Sequence, residues 1–258
     1  MRATLTFLGT GTSMGVPTLG CTCAVCKSAD ERDSRTRPSI ALEYGAHRVL
    51  IDTGPDFRQQ AIREQIASVD AVLYTHSHAD HILGLDDLRP LSFFHRDKPM
   101  PLYADASTAA VLRRIFDYTF SVDSKYPTSA RVEIHELSDG VDLFGVRFER
   151  LAVRHGDAEI NGFRFGCAAY LTDMSEIPDA TMERLHGLDI LVLDALRLTP
   201  HPTHSHLEKS LEYVRLLGPK RAYFTHMSHE ISHAAVQATL PENVYLAYDG
   251  LKLELDIA

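Results

Sequence analysis

Short apolar runs, each closed by glycine or a polar residue, recur along the whole chain and alternate with segments of helical spacing. The period-2 and continuous apolar runs predict strands at ATLTFL, SIALEY and HRVLIDTG, with Tyr44 to His47 turning a hairpin between the last two. PDFRQQAIREQIA has helical spacing, with Pro55 suited to a first turn, and AVLY reads as a buried strand ending at His76. A short helix is expected near Leu83 to Leu88, then a strand at MPLYA, a helix over STAAVLRRIFDY and strands at VEIHEL, VRFERLAV and FRFGCAAYLTD. The remainder predicts a strand in LDILVLDAL, a helix over LEKSLEYVRLLG stopped by Gly218 and Pro219, and a strand at RAYFTH. A helix over ISHAAVQATL and closing strands in VYLAYDG and LKLELD follow. The expectation is a mixed α/β chain whose polar clusters sit where strands end.

The 258 residues, 45% hydrophobic and 24% charged, are enough for a substantial core, and residues 1–258 are read as one domain. The early glycines and threonines interrupt any signal-peptide core, and no run approaches the roughly 20 apolar residues of a membrane span, so a cytoplasmic protein without a membrane partner is expected. Thirty-five acidic against 26 basic residues, a net charge of -9, argue against nucleic acid as a partner. A small anionic substrate stays compatible if bound divalent cations offset charge at a cleft. Residues 121–131, the longest irregular stretch, are read as either a lid or a plain surface loop.

The stretch YTHSHADH changes the picture. His76, His78, Asp80 and His81 crowd together where packing offers no reason for them. A single histidine is ordinarily a satisfied structural residue, but His155, Asp173 and His226 also follow apolar strands, so a sheet can deliver all seven to one edge. Alternate residues of an extended segment point the same way, and the following turn redirects Asp80 and His81, which suits two adjacent metals. Zinc, manganese or iron would accept such His and carboxylate donors. Cys21, Cys23 and Cys26 are spaced as thiolate ligands to a zinc ion, whereas Cys167 reads as a small buried residue. The loop GTGTSMG lacks the lysine of a phosphate-binding P-loop and has the wrong spacing for a dinucleotide fingerprint, so it is read as a tight turn. His47, His95, His135, His186 and His233 are taken as surface or hydrogen-bonded residues, and Arg154 as a possible phosphate contact.

THSHADH resembles the HxHxDH signature of the metallo-β-lactamase fold, which implies an αββα sandwich: two mixed β-sheets flanked by helices. That resemblance implies that His76, His78 and His155 hold one metal, that Asp80, His81 and His226 hold the other, and that Asp173 bridges them. LGTGTSMGVPTLGCTCAVCKSAD is similar to the PhnP group of cyclic phosphodiesterases, implying a structural zinc on Cys21, Cys23, Cys26 and His229. It also implies a homodimer, and a small phosphodiester substrate, cyclic and sugar- or nucleotide-like, cleaved by metal-activated hydroxide. His204 matches the histidine that contacts the scissile phosphate in related phosphodiesterases and tRNA-processing nucleases. His206 stays open as the acid or as a helix cap, and His201 as a loop residue. Asp194 is a candidate to orient that imidazole and Asp52 to support a ligand histidine, each with a loop-stabilising alternative. The competing functions are a tRNA 3′-end nuclease, whose long glycine- and proline-rich arm this chain lacks, another ester or thioester hydrolase, and a non-enzymatic metal-binding module.

Overall fold

The computed structural model describes residues 1–95, 97–121 and 128–257; residues 122–127, the centre of the expected lid, lie outside the described residues. Strands β1 (Arg2–Gly9), β2 (Ser39–Tyr44), β3 (His47–Ile51), β4 (Ala71–Leu73), β5 (Met100–Ala104) and β6 (Val132–Glu136) belong to one sheet. The second holds β7 (Gly140–Leu143), β8 (Val146–His155), β9 (Ala158–Phe165), β10 (Ala168–Leu171), β11 (Ile190–Asp194), β12 (Arg221–Thr225) and β13 (Val244–Leu246). The closing strand β14 (Lys252–Asp256) returns to the first sheet beside β1. The orders are β14-β1-β2-β3-β4-β5-β6 and β13-β12-β11-β10-β9-β8-β7. Each sheet is mixed: β3 to β6 and β10 to β13 run parallel, and the rest pair antiparallel.

Strand alternation sorts the apolar residues into separate layers. Leu5, Phe7, Val49, Ile51, Ile190 and Val192 meet Phe148 and Phe163 between the sheets. Leu8, Leu50 and Val72 turn outward under the helices of the first sheet, and Leu191 and Leu193 under those of the second. Continuous apolar runs are therefore required here, because both faces of a strand are covered, each large side chain contributing roughly 1.5–3 kcal/mol by leaving water. The outer layers include α1 (Phe57–Arg63), α2 (Ala79–Ile82), α3 (Arg89–Ser92), α4 (Ala106–Ile115), α5 (Asp117–Phe120), α6 (Asp179–Arg184), α7 (Leu207–Leu217) and α8 (His233–Gln237). Gly218 ends α7 in the left-handed conformation, as its position in the sequence predicts.

Several expectations are corrected. FRFGCAAYLTD is not one strand: it folds back at Gly166 (φ 55°) so that β9 and β10 pair, with Phe165 opposite Ala168. Both arms are apolar because both are buried, which hid the turn from a hydropathy reading. β7 and α6 lie in segments with no assigned element. Helix α1 stops at Arg63 because Ile66 folds back, its N–H donating to Ala61 O at 2.8 Å. The helix expected near Leu83 starts earlier, as α2, and a 3₁₀ turn covers Leu85–Leu88. Cys167, expected to be buried, is partly exposed in the β9–β10 turn.

Candidate metal centre and its surroundings

Parallel strands end at a common edge, and the polar residues are carried there. Asp52 follows β3, the His76–His81 segment follows β4, Asp173 follows β10, Asp194 closes β11 and His226 follows β12. His155 closes β8, which runs parallel to β10 through β9. Asp52, Asp173 and His226 are left-handed, with φ of 66°, 57° and 59°. That conformation costs a non-glycine residue on the order of 1 kcal/mol or more and reverses the chain at the strand end, turning each side chain into the cleft.

Two groups of donors result, each with its ligand atoms within 4.8 Å of one another: His76, His78 and His155, and Asp80, His81, Asp173 and His226. Asp173 joins the groups, since its carboxylate also lies within that distance of His155 and His204 donors. One Asp173 oxygen lies 3.2 Å from His81 Nε2 and the other 3.1 Å from His226 Nε2, while Asp80 Oδ2 is 3.3 Å and 3.6 Å from the same nitrogens. His76 Nε2, His81 Nε2, His226 Nε2 and Asp80 Oδ2 are buried without a hydrogen-bond partner. Buried polar atoms are ordinarily satisfied, so atoms aimed at one another without bonding fit a cation between them.

The electrostatics agree. Burial disfavours charge on His81, yet Asp173, Asp80 and Asp52 outweigh it and raise its pKa well above the ordinary value. Burial is outweighed at His226 too, where Asp173 leads in raising the pKa to about 10. Without cations, this cluster of carboxylates therefore gathers protons as its positive charge.

The imidazoles are oriented from behind. Asp52 Oδ2 lies 2.7 Å from His81 Nδ1 and also accepts from Thr75 Oγ1, while Oδ1 accepts from Thr75 N–H. Thr75 Oγ1 is also 3.0 Å from His76 Nδ1, and Thr203 O accepts from His155 Nδ1 at 2.8 Å. Thr75 and Thr203 were not singled out from the sequence; a threonine beside His76 carries no signal until Asp52 is known to face it. Loop 52–54 lies against α2, with Thr53 N–H donating to His81 O at 2.8 Å. A Cβ at Gly54 would overlap Asp80 O. Gly54→Ala is thus expected to destabilise the fold by about 1–3 kcal/mol and displace α2, seen as a lower melting temperature with weakened cation binding. An unchanged melt would contradict this packing.

His204 lies beside both groups, its ring centroid 4.6 Å from that of His155 and 4.8 Å from that of His226. Its Nδ1 meets Asp194 Oδ2 at 2.8 Å. Burial lowers the His204 pKa to about 4 and pushes that of Asp194 well up. His206 occupies the N-cap position of α7, one of the places the sequence left open for it, but makes no side-chain capping bond there. His201 Nδ1 accepts from Thr203 N–H at 3.3 Å, beside His204. Arg154 is exposed on the strand face opposite His155.

Cys21, Cys23 and Cys26 surround His229 Nδ1 at 3.1, 3.5 and 3.6 Å. Zinc–ligand distances in a tetrahedron space sulfur and nitrogen by about 3.6 Å, so the donors fit a closed zinc site. The GTGTSMG loop forms a turn, with Gly15 N–H donating to Thr12 O, and Thr12 N–H and Met227 N–H bond across to Met227 O and Thr10 O. Cys23→Ser is expected to remove one zinc per chain and lower the melting temperature by about 5 °C or more, measured by metal analysis and calorimetry. Full zinc content in that variant would exclude the site.

Residues 47–227 match the family model of the Beta-lactamase superfamily domain. A crystal structure of a diphosphatase from the PhnP family superposes with a TM-score of 0.95 at 54% identity, covering 100% of this chain and 98% of that one. The chain belongs to the PhnP family of metallo-β-lactamase-fold hydrolases. Zn(2+)-bound PqqB from Methylobacterium extorquens shares the fold, with a TM-score of 0.75 at 23% identity over 98% of this chain and all of that one. A Porphyromonas gingivalis protein named octanoyltransferase is 37% identical over 254 residues, 96% of this chain and 51% of its own length. The chain thus spans about half the length of that relative. No helix among the described residues is long and apolar enough to cross a membrane.

Proposed function

We propose that residues 1–258 form one metallo-β-lactamase-fold domain that acts as a binuclear, divalent-metal-dependent phosphodiesterase on a small substrate. The observation that carries this is the convergence of partnerless buried His and Asp atoms on two adjoining donor groups beside His204. His76, His78 and His155 would hold one cation and Asp80, His81 and His226 the other, with Asp173 between; zinc, manganese or iron suits these donors, and zinc suits the thiolates. Such cations supply Lewis acidity, making water a nucleophile near neutral pH and neutralising phosphoryl charge.

The chain's own groups do the rest. Asp52 and Thr203 fix which imidazole nitrogens face the cleft, and Asp194 holds His204 by Nδ1, leaving Nε2 for the substrate. An anionic ester at Nε2 favours the protonated imidazole, and His204 then passes a proton to the departing oxygen. His204→Ala should lower kcat by about 10²–10⁴-fold while cation content stays full. The loss should be smaller for a p-nitrophenolate leaving group than for an alkoxide, which needs the proton more. Equal kcat in the variant would remove His204 from the reaction.

The cyclic ester implied by the sequence resemblance is one member of this substrate class. A diphosphate diester is the second, favoured by the 54% identical diphosphatase. The test is hydrolysis of bis(p-nitrophenyl) phosphate, a five-membered cyclic sugar phosphate and a diphosphate diester by protein reconstituted with manganese or zinc. Metal-dependent cleavage supports the proposal; no cleavage of any of them at full cation content overturns it.

A further inference from the structure

Alternate residues on one face of β9 are Asn161, Phe163 and Phe165, and the two phenylalanines lie in the apolar layer between the sheets. Asn161 is fully buried and ends that series at the edge where the donors gather. A buried amide is costly unless it is bonded, so packing alone would favour an apolar residue there. The pairing of β10 with β9 reaches only as far as Phe163. Beyond it, Asn161 N–H crosses to the first sheet and donates to Thr75 O at 3.0 Å. The side chain sits between two ions: Nδ2 donates to Asp105 Oδ2 at 2.7 Å, and Oδ1 accepts from Arg150 Nε. A guanidinium only donates and a carboxylate only accepts, so these partners fix which end of the amide faces each of them. Asp105 is the N-cap of α4, accepting from Thr108 N–H at 2.9 Å. Burial disfavours its charge, yet the donors of Ser107, Thr108 and Asn161 outweigh burial and hold its pKa below the ordinary range. Asn161 thus ties β9 to the segments that follow both β4 and β5.

His76 directly follows Thr75, so the first donor group straddles this junction. His76 and His78 come from the first sheet and His155 from the end of β8 in the second, with ring centroids 5.5 and 5.0 Å from that of His155. On the other side of the cleft, the backbone bonds of Thr10 and Thr12 to Met227 join the sheets beside His226, a member of the second group. We infer that Asn161 is a positioning residue for the cation of the first group alone, setting the separation of His76 and His78 from His155. The junction at Met227 sets the second group. This rests on the proposed two-cation centre and gives each cation its own means of alignment between the sheets.

The test is a manganese titration of the chelator-treated full-length protein followed by electron paramagnetic resonance, since manganese takes His and carboxylate donors in preference to thiolates. Wild type should bind a spin-coupled pair of ions. Asn161→Ala and Asn161→Asp should weaken one of the two by about tenfold or more and change the other by less than about threefold. The spectrum of the ion that stays should match that of His78→Ala, which lacks a donor of the first group, and differ from that of His226→Ala. The aspartate form keeps the size of the side chain and the oxygen facing Arg150, so the test does not depend on the alanine form folding. It also sets a carboxylate against Asp105; adding Asp105→Asn restores a hydrogen bond of reversed direction and should recover most of the lost affinity, because asparagine remains a good N-cap. Equal weakening of both ions, no weakening, or no recovery in the double variant would overturn the inference. Wild-type protein that binds no pair of ions would defeat the two-cation reading itself, and the inference with it, before any variant is compared.

Discussion

Asp173→Ala is expected to reduce phosphodiester hydrolysis by about three orders of magnitude and to lower the number of cations the active site retains. Asp173 is buried, and its two oxygens separately approach His81 and His226. Its removal leaves those imidazoles without the countercharge that most raises their pKa values, and it breaks the link between the two donor groups. Alanine also fits the left-handed backbone at φ 57° poorly, at a cost of about 1 kcal/mol. Asp173→Asn separates the effects, because asparagine tolerates that conformation and keeps the shape while losing the charge. Both variants should lose activity and cations, with only the alanine form showing the added loss of stability. Activity within tenfold of wild type at full cation content would remove Asp173 from the centre.

Arg35→Met should destabilise the fold by about 3–5 kcal/mol, the usual cost of stranding half of a buried ion pair. The Arg35 guanidinium is fully enclosed: Nη2 donates to Asp33 Oδ1 at 3.2 Å and to Ile231 O at 2.7 Å, and Nη1 donates to Ser228 O at 3.0 Å. Burial pulls its pKa down, opposed by Asp33 and then Asp249, so its partners offset the cost of burying the charge. The carbonyls it holds bracket His229, and Asp33 Oδ1 also accepts from His233 N–H at 2.7 Å. The variant should therefore loosen zinc at the cysteine cluster as well as shift the urea midpoint. Adding Asp33→Asn should restore only part of the stability, because two carbonyls stay unsatisfied. A midpoint shift worth less than about 1 kcal/mol would show that this brace is dispensable.

What was readable in the chain depended on whether the signal was local. The strand at 190–194 opens on a continuous apolar run because both sheet faces are covered, those at 3–8, 40–44 and 221–225 are largely apolar, and the donors at 76–81 crowd into a span where chemistry stands out from packing. Where local signal vanished, the readings failed. FRFGCAAYLTD is apolar through its own turn, and α1 is cut short by a backbone reversal at Ile66 that helical spacing does not anticipate. The preference for His204 over His206 came from the family resemblance alone, since both precede one helix; that Asp194 at the end of β11 lies against the former is a contact only the fold supplies.

By itself, then, the sequence determined the alternation of strands and helices, the class of chemistry and the identity of the clustered donors, because residue type and spacing are local properties. The tertiary structure alone decided that Thr75 and Thr203 orient the imidazoles, that Arg35 braces the segment bearing His229, and that His204 stands between two hollows. These arrangements join residues far apart in the chain, and their partners meet only once two sheets have stacked and brought their strand ends to one edge.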